Sequence, residues 1–135
     1  MDSNKELFKE LANYLTGNVD LMKHLSAGAC WQYEIMENNL EEEPFLTFFL
    51  VKVAEDKLEI NENKLTRKPD LILFFTKKAI QFLIKEKPDA KKYYQMYKDL
   101  MNNPRDGMYI DNKVNKSKIQ LYKIGYKKWK EDFNF

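Results

Sequence analysis

Between Pro69 and Glu86 the chain reads PDLILFFTKKAIQFLIKE. An apolar run of strand length passes without a turn residue into a segment with Ala79, Ile80, Leu83 and Ile84 at helical spacing and Phe82 on the flank. That change of period within a few residues marks a strand leading straight into an amphipathic helix. Thr76 stands at the junction as the expected N-cap. Whatever else the chain does, its fold has to mix strands with helices.

The same reading extends in both directions. Ser3 and Glu6 have the spacing of a capping box, and Leu7, Leu11 and Leu15 then recur at helical intervals, which predicts a helix from about Lys5 to Thr16. Gly17 would end it, and Asn18 would cap a short second helix over Leu21, Met22 and Leu25. From Cys30 the period becomes two. Trp31, Tyr33 and Ile35 share one side of a strand, and Gln32 and Glu34 the other. After Pro44 comes FLTFFLVKVA, apolar on both sides in its first half, and then Leu58 and Ile60 alternate with Glu59 and Asn61. These three strands read as an antiparallel meander.

Lys64 to Asp70 is a polar connection to the strand Leu71–Phe75. Beyond the helix after Thr76, Pro88 suits the first turn of another, in which Ala90, Tyr93, Tyr94, Tyr97, Leu100 and Met101 follow one face. Met108 to Ile110 reads as a short strand. Ser117 then caps a single closing helix with a stripe of Ile119, Tyr122, Tyr126, Trp129 and Phe133, widened by Leu121 and Ile124.

A chain of 135 residues, 44% of them apolar, has the size and composition of one domain with one core, here residues 1–135. Cys30 is the only cysteine, so no intramolecular disulfide can form and a reducing compartment is expected. Charges interrupt MDSNKELFKE where a signal peptide needs an apolar core, and no apolar run approaches the roughly 18 residues of a membrane span; a soluble, cytoplasmic protein is expected. Charge divides along the chain. Residues 1–62 hold five Lys against thirteen Asp and Glu, and residues 63–135 hold eighteen Lys and Arg against eight acids, so the halves carry −8 and +10. A basic half of this kind meets anionic lipid heads or phosphates, or is a solvated face.

Catalysis finds little support. The one histidine, His24, would have to meet Cys30 in the fold to make a nucleophile pair, no Cys/His metal spacing or phosphate-binding Gly loop occurs, and Glu41 to Glu43 lie in a hairpin loop without partners. No metal or cofactor is expected. Nucleic-acid binding is disfavoured because the tyrosines of the basic half sit at core spacing and no RRM, KH or helix-turn-helix signature is present.

The order WQYEIME, FLTFFLVKV, KLEIN, PDLILFFTKKAIQFLI, MYIDN and a final apolar helix resembles the SCP2-like (sterol carrier protein 2) lipid-binding domain, over roughly Leu7 to Phe133. Lys77 and Lys78 stand where that family often has acids, and Asn112 where it usually has glycine. The resemblance implies an α/β (α+β) domain with a mixed, mainly antiparallel five-stranded sheet covered by helices. It also implies a non-enzymatic function, the carriage of a fatty acyl chain, sterol or phospholipid in an apolar tunnel between sheet and C-terminal helices. Phe74, Phe82, Tyr97, Met101, Met108, Leu121, Tyr122, Ile124 and Trp129 are the expected lining. Lys123, Lys127, Lys128 and Lys130, or Lys77 and Lys78, are the basic residues nearest a headgroup, and the basic half is the expected contact with an anionic membrane. The alternative is a protein-interaction module of the same fold with its interior filled. The oligomeric state is left open.

Overall fold

The structure is a computed structural model and describes residues 3–62 and 68–135. Helix α1 (Ser3–Thr16) and a 3-10 turn (Val19–Met22) lead into the meander β1 (Cys30–Met36), β2 (Leu46–Ala54) and β3 (Lys57–Asn61). Strand β4 (Leu71–Thr76) runs directly into α2 (Lys77–Ile84), followed by α3 (Ala90–Asn102), β5 (Ile110–Val114), α4 (Lys118–Ile124) and α5 (Tyr126–Asp132). The strand order is β3-β2-β1-β4-β5. Only β1 and β4 pair in parallel; the other neighbours are antiparallel, so the sheet is mixed and mainly antiparallel as expected.

Register decides which side of the sheet the helices cover. Trp31, Tyr33 and Ile35 stand opposite Leu50, Phe48 and Leu46 on one side and opposite Leu71, Leu73 and Phe75 on the other. That face forms one core with Leu7, Leu11 and Leu15 of α1, Ala79, Ile80 and Leu83 of α2, the tyrosines of α3, and Tyr126 and Trp129 of α5. The alternate residues point to the opposite face, where Cys30, Phe49 and Val51 make a small cluster of their own.

Several local expectations need correction. The buried stretch of β2 is its middle, Phe48 to Lys52, rather than its first half. The Thr76 side chain does not cap α2: its Oγ1 donates to the Gly107 carbonyl at 2.8 Å and accepts from Tyr109 N–H at 3.0 Å, so it ties β4 to the loop before β5. Pro88 precedes the N-cap of α3, which is Asp89, its carboxylate accepting from Lys92 N–H at 2.9 Å. Asn18 caps nothing and donates instead to the Tyr14 carbonyl. Met108 bridges to Arg105 in a turn, and the strand lies later, at β5. The polar connection from Lys64 to Asp70 falls largely on residues 63–67, outside the described residues.

The largest departure is in the closing helix, which is two helices. Gly125 sits between α4 and α5 with φ of 116°, and a β-carbon there would lie 2.1 Å from the His24 carbonyl oxygen. The chain passes too close to His24 and Leu25 for a side chain, and only glycine accepts that backbone freely. Ser26 N–H then donates to the Ile124 carbonyl at 2.8 Å, which fastens the break to the loop beside it.

Candidate functional site

The face carrying Trp31 and Tyr33 does not meet the helices everywhere. Between it and α3, α4 and α5 lies a cavity of about 320 Å³. Trp31 and Tyr33 of β1 with Leu71 and Leu73 of β4 form its sheet side, because alternation turns all four toward the helices. Tyr93, Tyr94, Tyr97 and Met101 of α3 lie across from them on one helical face. Tyr126, Trp129 and Lys130 of α5 and Leu121 of α4 close one side, and Asn112 and Val114 of β5 the other. Lys130, Val114 and Phe135 are exposed, so the cavity opens to solvent between β5, α4 and the Phe133–Phe135 segment. Phe135 narrows that mouth: it stacks on Trp129 at 5.1 Å between ring centres, and the Lys98 ammonium lies 5.2 Å from its ring while donating to the Phe133 and Asn134 carbonyls.

Most polar atoms of the walls are engaged behind the cavity surface. Trp31 Nε1–H donates to the Tyr126 hydroxyl at 2.7 Å, which donates to Asp70 Oδ2 at 2.7 Å. Asp70 is fully buried, accepts also from Cys30 N–H at 3.1 Å, and pairs with Lys116 Nζ at 2.6 Å. Trp129 Nε1–H and the Tyr94 hydroxyl both donate to the Leu21 carbonyl, at 2.9 and 2.8 Å. Asn112 Nδ2 donates to the Tyr97 hydroxyl at 3.1 Å. Tyr33 and Tyr93 differ. Both are nearly inaccessible, both line the cavity, and the hydroxyl of neither has a hydrogen-bond partner among the described residues.

Burial holds these phenols neutral. It pushes Tyr33, Tyr93 and Tyr94 well above the ordinary tyrosine value and Tyr97 to about 12, and it raises Tyr126, with the charge of Asp70 adding to the effect. Among the described residues the one charged side chain bordering the cavity is Lys130, at the rim. The site is therefore an aromatic pocket with two tyrosine hydroxyls that have no partner among the described residues and one cation, Lys130, at its entrance.

The expected lining divides. Tyr97, Met101, Leu121 and Trp129 border this cavity. Phe74 faces away from it, since Leu73 and Phe75 take the helix side of β4. Phe82 and Met108 border a separate, more polar groove beside α1, with Lys78, Lys85 and Lys87, because α2 packs between α1 and α3. Tyr122 is exposed with the Lys118 ammonium over its ring, and Ile124 is half-buried against the core without reaching the cavity; the break at Gly125 turns α4 away from the line of α5. Of the basic candidates, Lys130 borders the cavity, Lys78 the second groove, and Lys77 lies 3.9 Å from Glu37. The sheet residues Trp31, Tyr33, Leu71 and Leu73 were legible as a core face but not as a cavity wall, and Tyr93, Tyr94 and Tyr126 carried the same helical spacing as Tyr97 and Trp129. For Asp70, Lys116 and Phe135 no sequence signal existed.

His24 and Cys30 are apart in role: His24 Nε2 lies 2.8 Å from Asp132 Oδ2, and Cys30 is buried on β1. No group of three His, Cys, Asp or Glu among the described residues is placed to hold a metal ion. None of the described helices is long and apolar enough to cross a membrane.

A helix-covered sheet in the order β3-β2-β1-β4-β5, with the cavity under its C-terminal helices, is an SCP2-like fold. No family model matches the sequence, and no curated protein does. Among solved structures the chain is similar to one described as a UbiJ-SCP2 ubiquinone synthesis protein, with a TM-score of 0.53 over 89% of this chain and 90% of that one. Identity between the two is 10%, so the likeness is one of fold.

Proposed function

We propose that this protein binds an elongated apolar molecule noncovalently, a fatty acyl chain, sterol or phospholipid tail, in the cavity under α3 and α5, and carries or presents it without catalysing a reaction. The observation that carries this reading is an open, mainly aromatic cavity set between the core face of the sheet and α3 and α5. At about 320 Å³ it lies at the lower end of the roughly 300–1,000 Å³ usual for small-molecule sites. Part of a long ligand fits as the cavity stands, and displacement of Phe135 from Trp129 would lengthen the space.

Magnitudes favour a ligand with a polar end. Burying about ten methylenes contributes roughly 8 kcal/mol gross, against an association cost of about 4–15 kcal/mol. A tail alone binds weakly. The free hydroxyls of Tyr33 and Tyr93 offer hydrogen bonds to a neutral carbonyl or hydroxyl carried inside, whereas an ionised carboxylate would find no cation except Lys130 at the rim.

Both tryptophans of the chain, Trp31 and Trp129, border the cavity, so a brominated acyl chain bound there should quench most of the intrinsic fluorescence. Native mass spectrometry with organic extraction would identify any ligand carried through purification. Saturable quenching by a brominated ester, weakened in a Tyr33→Phe/Tyr93→Phe variant, is expected. An apo mass together with no quenching at micromolar probe would overturn the carrier reading and leave an interaction module of the same fold.

A further inference from the structure

We infer that α4 and the strand end before it form a docking surface for an anionic lipid bilayer. From Asn112 to Lys130 the chain carries seven lysines and no acid. Lys116 is engaged with Asp70, while Lys113, Lys118, Lys123, Lys127, Lys128 and Lys130 are exposed. Among them stand apolar side chains that the fold leaves outside: Ile119 is 70% exposed, Val114 56% and Tyr122 44%. No side chain of α4 is fully buried: only Leu121 and Ile124 lean on the core, half-buried. Exposed apolar side chains grouped among lysines are the composition of a helix that lies in a membrane interface.

The helix is nevertheless held firmly. Ser117 and Gln120 form a full capping box, Asn115 N–H donates to the Asp70 carbonyl at 2.9 Å, and Asn115 Nδ2 donates to the Pro69 carbonyl at 3.0 Å. At its other end, the Ile124 carbonyl accepts from Ser26 N–H beside Gly125. With both ends fixed and its outward side free, α4 is presented as a rigid face. Charge and apolarity together select the partner. A nucleic acid would satisfy the lysines but not Ile119; a second copy would meet the same lysines and be repelled. An anionic bilayer accepts both, the ammonium groups among the headgroups and the apolar side chains below them. Leu121 and Val114 border the cavity as well, so the surface adjoins its mouth, yet the inference stands independently of what the cavity holds.

The test is co-sedimentation of the full chain with phosphatidylcholine vesicles, with and without phosphatidylglycerol, at low and high salt. Binding only to the anionic vesicles is expected, weakened by salt and by about fivefold for each lysine removed in Lys118→Gln and Lys123→Gln. An Ile119→Ser/Tyr122→Ser variant should lose binding while keeping its melting temperature and its acyl-probe quenching, because neither residue is buried. Equal partitioning onto neutral vesicles, or unchanged binding by that variant, would overturn the inference. So would a dimer abolished by the same substitutions, or single-stranded RNA bound more tightly than vesicles through the same lysines.

Discussion

The helices on either side of Gly125 carry the same alternation of aromatic, aliphatic and lysine residues and end in opposite environments. In α5, Tyr126 and Trp129 are buried, join the core with Phe133, and reach polar partners on distant segments, Asp70 and the Leu21 carbonyl. In α4, Ile119 and Tyr122 point to solvent and only Leu121 and Ile124 lean on the core. An amphipathic stripe therefore states that a helix has an apolar side, but not what that side will meet. Here the difference separates a structural wall of the cavity from a surface left free for another contact.

The largest expected effect bears on the buried side alone. Tyr33, Tyr93, Tyr94, Tyr97 and Tyr126 have values raised by burial, so the folded state keeps their protons where the unfolded chain, near pH 10, releases them. Stability is intact below about pH 10 and falls as pH rises, by about 1.4 kcal/mol per unit for each tyrosine, enough for the five to exhaust a typical stability of about 5–15 kcal/mol within roughly two units. The tyrosinate absorbance of these five and the loss of near-ultraviolet circular dichroism should coincide in one steep transition. Gradual ionisation of these five in a still folded chain would contradict the burial of this wall.

Next in size is a paired substitution. Trp129→Ala on α5 should cost about 3–5 kcal/mol in a urea unfolding series, and Ile119→Ala on α4 should stay within about 0.5 kcal/mol. Similar costs at the two positions would erase the distinction between the helices. Smaller again is the break itself. Gly125→Ala places an alanine in the left-handed region, at about 1–3 kcal/mol, and adds the displacement of the His24 carbonyl that its β-carbon would strike. A neutral Gly125→Ala measured the same way would mean that α4 and α5 can be joined without disturbing the loop at His24.

Much of the architecture was legible because strands and helices impose different periods on the same apolar residues. Trp31, Tyr33 and Ile35 at intervals of two, and Tyr93, Tyr94 and Tyr97 at helical spacing, identify β1 and α3 and their inner faces. Alternation also contained the answer for Phe74, which shares its parity with Ile72 rather than with Leu73; in the run LILFF every position is apolar, and composition alone does not say which set faces the helices. The cavity was only half legible. Tyr97, Met101, Leu121 and Trp129 fall on apolar stripes that meet there, while Phe82 and Met108 fall on equally good stripes that meet a different groove.

By itself the sequence determined the kinds and order of the elements, the apolar side of most of them, and the division of charge that leaves the C-terminal half basic. Only the tertiary structure decided where the closing helix breaks, which tyrosine hydroxyls lack partners, and that Asp70 joins Lys116, Tyr126 and Cys30 in one buried network. The reason is range. Period and capping act between residues a few positions apart and are written locally, whereas a cavity, a buried ion pair or a close approach of Gly125 to His24 arises between segments up to about a hundred residues apart, which meet only when the sheet and its helices close over one another.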